Sequence, residues 1–141
     1  GYGNCKKFKN NFKPVISLKS VVSQIHEIKK GESVGYNRSF IAKRLTKVAI
    51  IPIGHADGIH RSMGNGKIGL LINNKIAKTI GNICMDMMMI DVTNINCNEG
   101  DSVTIIDDKN QTAEDIGDAI NTISYEVLTS LSNRINRVFI S

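Results

Sequence analysis

Short apolar runs alternate along the chain with polar breaks that contain glycine or asparagine, a pattern typical of short β-strands joined by turns. Residues 13–33 carry β-branched side chains on both alternating faces, which favours a strand followed by a turn at "KKGES". Residues 47–54 form a more apolar run, and Pro52 within it indicates an edge strand or the end of a strand.

The second half of the chain continues this pattern. Residues 67–93 predict a hairpin and a further strand, with the hairpin turning at Asn73 and Asn74 because asparagine tolerates positive φ. Residues 100–108 predict a short strand entered through a glycine turn, and "RVFI" at 137–140 predicts a closing strand.

A helical period appears only near the C-terminus. Thr112 and Asp115 have the spacing of an N-terminal capping box. Apolar residues then recur at helical spacing in two groups: Ile116, Ala119 and Ile120, then Val127, Leu128 and Leu131. Roughly seven or eight short strands with one or two short helices predict a mainly β domain, either barrel-like or a sandwich.

The stretch "CMDMMMID" at 84–91 contains four of the five methionines. If it is a strand, residues on one face lie ~7 Å apart, so their sulfurs do not converge on a soft metal ion. We therefore interpret it as adaptable packing or as the lining of a binding pocket. Asp86 and Asp91 need hydrogen-bond partners in so apolar a run.

Charge and cysteine content exclude several classes of protein. The net charge of +5 is spread along the chain and aromatic residues make up 5%, so we expect no nucleic-acid partner. No apolar run reaches the ~18 residues of a membrane helix. Cys5, Cys84 and Cys97 predict reduced thiols in a cytoplasmic protein, and no zinc-type spacing occurs. We expect His26 on a strand surface rather than as a ligand.

Four motifs together carry a family resemblance. In order they read "VGYNRSF", "IPIGHADGI", "IGNICMDMMMIDVT" and "ISYEVLTSLSNRINRVFI". In this order and at these intervals they resemble the C-terminal domain of bacterial alanine racemase, over roughly residues 13–140. Residues 1–11, which begin "GYGNC", resemble the tail of that family's preceding α/β barrel domain. The resemblance implies that 12–141 is the C-terminal β domain of an enzyme whose first half is missing here.

What the family does defines the expected function. The resemblance implies an isomerase that interconverts L- and D-alanine with pyridoxal phosphate, for cell-wall D-alanine. The missing barrel domain binds most of the cofactor through a lysine. Two protomers pair head to tail, so that each C-terminal domain completes its partner's active site. This chain alone is therefore expected to be inactive.

The resemblance assigns the catalytic base to Tyr36. In the family, two bases on opposite faces of the substrate exchange the Cα proton, and the tyrosine in Val-Gly-Tyr-Gly is one of them. Free tyrosine has a pKa near ~10, so a base role needs hydrogen bonds or nearby positive charge. Asn37 replaces the usual glycine, and its tolerance of left-handed backbone allows the turn to survive.

His55 is the main departure from the family pattern. It stands in "GHADG" where the family has a tyrosine that lines the active-site entrance. Histidine keeps a ring and a polar tip but can become charged near neutral pH. An alternative is a catalytic dyad of His55 with Asp57, although no nucleophile motif accompanies the two residues.

Two further positions acquire roles by resemblance. Met85 matches the residue whose backbone N–H binds the substrate carboxylate, which favours the pocket-lining interpretation of this stretch. Tyr125 matches the tyrosine that contacts the cofactor phosphate of the partner protomer, and a position at a helix start suits a phosphate. We expect Arg134 and Arg137 to be structural.

Two functional hypotheses remain open on these residues. The first is the racemase part, and the second is a catalytically silent β-barrel module for dimerisation or regulation, which the histidine at position 55 keeps open. If the first holds, we expect an exposed apolar patch around Tyr36, Ile53, the 55–63 loop and Met85, where the domain faces barrels.

Overall fold

The computed structural model describes residues 13–140, which form a mainly β domain. The expected tail of a preceding domain, 1–11, and Cys5 lie outside the described residues. The strands and helices are β1 (Leu18–Val21), β2 (Gln24–Ile28), β3 (Ser33–Val34), β4 (Phe40–Ile41), β5 (Thr46–Ile51), β6 (Gly69–Ile72), β7 (Lys75–Ile80), β8 (Met88–Asp91), β9 (Ser102–Ile106), α1 (Ala113–Ala119) and α2 (Ser124–Thr129).

Seven strands form one antiparallel sheet in the order β1-β9-β6-β7-β8-β5-β2. The first and last strands of this order are consecutive in the chain, so the two edges must lie close together. The chain passes from one edge strand to the other through Val22 and Ser23. The Val22 N–H donates to Asp101 O and the Ser23 N–H donates to Ile50 O, each at 2.9 Å. The sheet therefore curls into a barrel-like form, which confirms the predicted fold class.

The core fills the interior of this curled sheet. Its largest fully buried side chains come from several strands and include Ile51, Leu70, Met88, Ile90 and Ile105. The two helices add Ile116 and Val127 to the same cluster, so they cover the barrel rather than extend from it. Within residues 13–140, no helix is long and apolar enough to cross a bilayer.

The predictions that rest on local chemistry are confirmed. Asn73 and Asn74 turn the β6–β7 hairpin with φ of 46° and 60°. Thr112 and Asp115 form the reciprocal capping box that begins α1. His26 is an exposed residue of β2.

Several predicted boundaries are wrong. The run at 13–33 is two strands, because the chain leaves one sheet edge at Val21 and joins the other at Gln24. The strand predicted at 47–54 ends before Pro52, which lacks the N–H that a ladder requires. The 137–140 segment is not a strand, and Phe139 is 96% exposed. The short pair β3–β4, joined through residues 35–39, was not predicted.

The methionine-rich stretch is only half a strand. Residues 84–87 make a tight turn in which Cys84 N–H donates to Met87 O at 2.9 Å, and β8 begins at Met88. The predicted partners of the two aspartates are present: Arg134 contacts Asp86 and Thr93 contacts Asp91.

Candidate active site

Three loops meet beside the sheet and enclose an open cleft of about 500 Å³. This volume lies in the range of small-molecule sites. The cleft is lined by Tyr36, Asn37, His55, Arg61, Ile83, Cys84 and Met85. Three of the four predicted site residues, Tyr36, His55 and Met85, therefore share one cleft, although they are far apart in sequence.

The turn that carries Tyr36 has an unusual backbone. Gly35, Asn37 and Arg38 have φ of 75°, 60° and 49°, so three of four consecutive residues adopt positive φ. Asn37 has φ of 60° and ψ of 21°, a left-handed conformation that asparagine tolerates. Tyr36 itself is 62% exposed and faces the cleft.

The loop that carries His55 is bound directly to the Met85 turn. His55 N–H donates to Cys84 O and Ala56 N–H donates to Met85 O, both at 2.9 Å. Gly54 permits this approach, since a Cβ there would lie 2.5 Å from Met87 N. The Met85 carbonyl is thus engaged, whereas among residues 13–140 none accepts a hydrogen bond from the Met85 N–H. That N–H is available to an anion at the edge of the cleft.

Arg134 fastens both loops from the far end of the chain. Its Nε donates to Asp57 Oδ1 at 2.5 Å, and one terminal nitrogen donates to Asp57 Oδ2 at 3.2 Å and to Asp86 Oδ1 at 2.7 Å. Asp57 also accepts the buried Gly54 N–H at 2.8 Å. These contacts agree with a structural Arg134. They occupy both Asp57 oxygens and argue against a His55–Asp57 dyad.

The ion pair changes the titration of Asp57. Burial alone raises the pKa of this carboxyl, but hydrogen bonds from Arg134 and the Gly54 N–H, with the charge of Arg134, outweigh it and lower the pKa. Hydrogen bonds to Asp57 and Asp86 in turn raise the pKa of Arg134. The link between the two loops is therefore charged throughout the neutral range.

Sequence reasoning did not single out Arg61, which also lines the cleft. Its only sequence signal is its place six positions after His55 in the same loop. Burial raises the pKa of Cys84, and the positive charge of Arg61 opposes that rise. A permanent cation beside an unpaired N–H suits a carboxylate ligand.

Tyr125 is not among the residues that line the cleft. It lies in the first turn of α2 and is 41% exposed. Within one chain the structure therefore does not bring Tyr125 together with Tyr36. Its contact with a partner protomer's cofactor stays a prediction.

The expected apolar patch is only partly present. Tyr36 and Met85 are exposed, but Ile53 is 5% exposed and belongs to the core. Ile59 and Met63 of the 55–63 loop are buried as well. We call the 55–63 loop and the 84–87 turn, which border the cleft, the rim. The rim is more polar than predicted, because the 55–63 loop turns its apolar side chains inward through two short 3₁₀ turns.

The fold and the cleft define a class: a barrel-like β domain whose open cleft is lined by a tyrosine, a histidine, an arginine and a backbone N–H that has no acceptor among residues 13–140. The chain belongs to the family described as alanine racemase, C-terminal domain, whose model matches residues 15–139. The resemblance seen in the four motifs is confirmed.

Relatives and solved structures agree with this assignment. The chain is 43% identical over 131 residues to an alanine racemase of Helicobacter pylori (strain Shi470), with 91% of the chain and 34% of the relative covered. An alanine racemase structure from Clostridium difficile 630 matches with a TM-score of 0.90 and 31% identity, covering 99% of this chain and 37% of that one. One from Bartonella henselae "with covalently bound pyridoxal phosphate" matches with a TM-score of 0.85 and 34% identity, covering 89% and 35%.

The chain spans about a third of the length of these relatives. They are named as racemases, so the comparisons give no support to the catalytically silent module.

Proposed function

We propose that the chain acts as the C-terminal part of an alanine racemase and supplies one proton-transfer residue and the carboxylate contacts of its active site. The observation that supports this most directly is the shared cleft, because Tyr36, Arg61 and Met85 all line it and the Met85 N–H has no acceptor among residues 13–140. A proton-transfer group and an anion-binding group within one cleft are two of the parts that proton exchange at the Cα of an amino acid requires.

Tyr36 is the proposed proton-transfer residue. Its phenol oxygen takes the Cα proton from one face of the substrate, and in the reverse direction it returns a proton to that face. Arg61 lines the same cleft and carries a positive charge near the reacting groups. The second base, on the opposite face, would come from residues outside this domain.

Other residues of the cleft are the proposed substrate-binding groups. The Met85 N–H donates to the substrate carboxylate, while Arg61 attracts it over a longer range. His55 lines the same cleft, and its imidazole offers a further polar contact to an entering amino acid. We propose that His55 affects entry more than chemistry.

The proposed cofactor is pyridoxal phosphate, which when bound withdraws electrons from Cα and so acidifies its proton. The described residues fit only part of it. Tyr125 is 41% exposed, and a tyrosine hydroxyl suits a phosphate, whereas the cleft lining contains no lysine. We propose that the lysine and most of the cofactor site come from the barrel domain that the family resemblance implies.

Pairing with another copy completes the proposed site. Tyr125 lies apart from the cleft of its own chain, as a residue that serves the partner protomer's cofactor would. The proposed compartment is the cytoplasm, where Cys84 and Cys97 remain reduced; both are free in the structure.

Replacing tyrosine by phenylalanine at positions 36 and 125 of the full-length enzyme, one at a time, tests the proposal. Tyr36→Phe should lower kcat by about 10²–10⁴-fold, because that is the usual cost of losing one proton-transfer group. It should leave the cofactor absorbance and cofactor affinity unchanged. Tyr125→Phe should instead weaken cofactor binding, measured by titrating apoenzyme with pyridoxal phosphate. A Tyr36→Phe enzyme with full activity would show that Tyr36 does not move the proton.

A further inference from the structure

Tyr36 is held by its backbone rather than by its ring. Among residues 13–140, none hydrogen-bonds the Tyr36 hydroxyl, and the side chain is largely exposed. The phenol oxygen lies at the far end of the side chain, so a small rotation of the turn moves it a long way. Proton transfer needs hydrogen-bond reach, and a misplacement of ~1 Å can cost ~10²-fold in rate.

The turn does not hold this shape by local preference. Asn37 and Arg38 form a pair with positive φ, which asparagine tolerates but which is unfavourable for arginine and persists there only where surrounding contacts fix it. Arginine in particular gains nothing from the left-handed region. Some neighbouring group must therefore hold the turn.

Asn82 is that neighbour. Its side-chain Nδ2 donates to Tyr36 O at 2.9 Å, and its backbone N–H donates to Ser39 Oγ at 3.0 Å. The two bonds hold both sides of the left-handed pair. Gly35 allows the contact, because a Cβ there would lie 3.2 Å from Asn82 N.

The Asn82 amide is itself oriented by a second asparagine. Asn65 Nδ2 donates to Asn82 Oδ1 at 2.9 Å, which leaves Asn82 Nδ2 to face the Tyr36 carbonyl. Asn65 is in turn tied through its N–H to Gly81 O at 2.9 Å. A chain of oriented amides therefore runs from the 65 turn to the backbone of Tyr36.

We propose that Asn82 is a positioning residue for proton transfer: it fixes the backbone of Tyr36, through an amide oriented by Asn65, so that the phenol reaches the Cα proton. The inference rests on the proposed role of Tyr36. It adds that the Tyr36 face of the reaction depends on a side chain that itself exchanges no proton.

The test uses the full-length enzyme with Asn82→Asp. The carboxylate keeps the shape and the acceptor for Asn65, but it replaces the donor to Tyr36 O with a repelling oxygen. Asn65→Asp removes the same hydrogen bond with Asn82 intact. A carboxylate at position 65 accepts from Asn82 Nδ2, so the amide turns and presents Oδ1 to the Tyr36 carbonyl. Asn74→Asp is the matched control, since Asn74, like Asn65, has positive φ but lies in the β6–β7 turn.

Both test variants should lower kcat by about tenfold to a hundredfold with little change in KM. The decisive readout is the primary isotope effect with Cα-deuterated substrates. When transfer at Tyr36 limits the rate, the isotope effect should rise for the enantiomer whose proton Tyr36 removes and fall for the other. Hydrogen exchange of the 34–40 segment, measured by mass spectrometry, should become faster. The control should match wild type in all three.

Other outcomes separate the two levels of the proposal. If activity falls only because less enzyme folds, both isotope effects stay at wild-type values, and Asn82 has no positioning role. Unchanged exchange in the 34–40 segment would also overturn the inference. If Tyr36→Phe keeps its activity, the proposed role of Tyr36 fails, whatever the Asn82 variants do.

Discussion

Residues 84–87 and 88–91 are neighbours of similar composition, yet they have opposite structural roles. Met88 and Ile90 are fully buried in β8, which pairs with β5 and β7. Met85 and Met87 are 57% and 41% exposed on a turn at the rim. Residues 88–91 are held by the burial of their side chains, whereas residues 84–87 are held by backbone and ionic contacts. Apolar composition alone therefore does not distinguish a core strand from a binding wall.

The four methionines of this stretch also disperse. Met88 and Met89 belong to separate core clusters, and the other two face solvent. This arrangement agrees with the interpretation of methionine as adaptable packing. At Met85 the backbone carbonyl accepts the Ala56 N–H, whereas the Met85 N–H has no acceptor among residues 13–140.

Methionine-to-alanine substitutions in the strand and in the turn should give the largest difference in stability. Met88→Ala should destabilise the chain by about 2–5 kcal/mol, because it leaves a cavity in the core. Met85→Ala should change stability by less than about 0.5 kcal/mol, as is usual for exposed sites. Urea unfolding of both variants measures the difference. Equal losses would show that the rim is packed as tightly as the strand.

A change that presses the two loops apart should affect the rim more than the core. In Gly54→Ala the new Cβ would lie within 2.7 Å of backbone atoms of Cys84, Met85 and Met87, which cannot move independently. We expect a stability loss of about 1–3 kcal/mol from overpacking. We also expect a fall of about tenfold to a hundredfold in kcat/KM of the full-length enzyme, mainly through KM, because the Met85 N–H is displaced.

Gly31→Ala is the control for that experiment. Gly31 has φ of 92° and open space around it, so alanine there costs backbone energy without touching the cleft. Its stability should fall by about 1–2 kcal/mol while KM stays at the wild-type value. A normal KM in Gly54→Ala would mean that the 54–56 loop does not set the position of Met85.

The features that sequence predicted correctly depend on residues close together in the chain. The Asn73–Asn74 turn and the Thr112–Asp115 cap are complete within four residues, so their chemistry can be recognised without the fold. The failures have the opposite character. The 137–140 run has strand-like residues but pairs with no strand among residues 13–140, and strand formation depends on a partner.

The candidate site shows the same division. Motif resemblance located Tyr36, His55 and Met85, which line one cleft. It could not reveal the contacts that hold them, because Asn82 reaches Tyr36 across 46 positions and Arg134 reaches Asp57 across 77. Such pairs become neighbours only when the sheet has curled.

The smallest expected effect concerns the acid sensitivity of the rim. The pKa of Asp57 is lowered in the folded chain, whereas an unfolded aspartate titrates near ~3.9. The Arg134–Asp57 link therefore contributes its full stability above about pH 4 and loses it as pH falls through the lower folded value. His55 and Ala56, whose amides bind the 84–85 carbonyls, should lose protection from hydrogen exchange first.

The measurement compares protection factors, which remove the intrinsic pH dependence of exchange, at a series of pH values below 5. Those of His55 and Ala56 should fall severalfold while that of Ile90, in the core strand, stays constant. Arg134→Gln should lower the protection factors of the rim already at neutral pH and flatten their dependence on acid.

Asp107, whose pKa lies at about 2 because three backbone N–H groups and Asn110 outweigh its burial, provides a control through Asp107→Asn. Because Asp107 lies at the 107–111 turn, that variant should leave the rim profile unchanged. Simultaneous loss of protection at Ile90 and His55 would show that the strand and the rim are one cooperative unit.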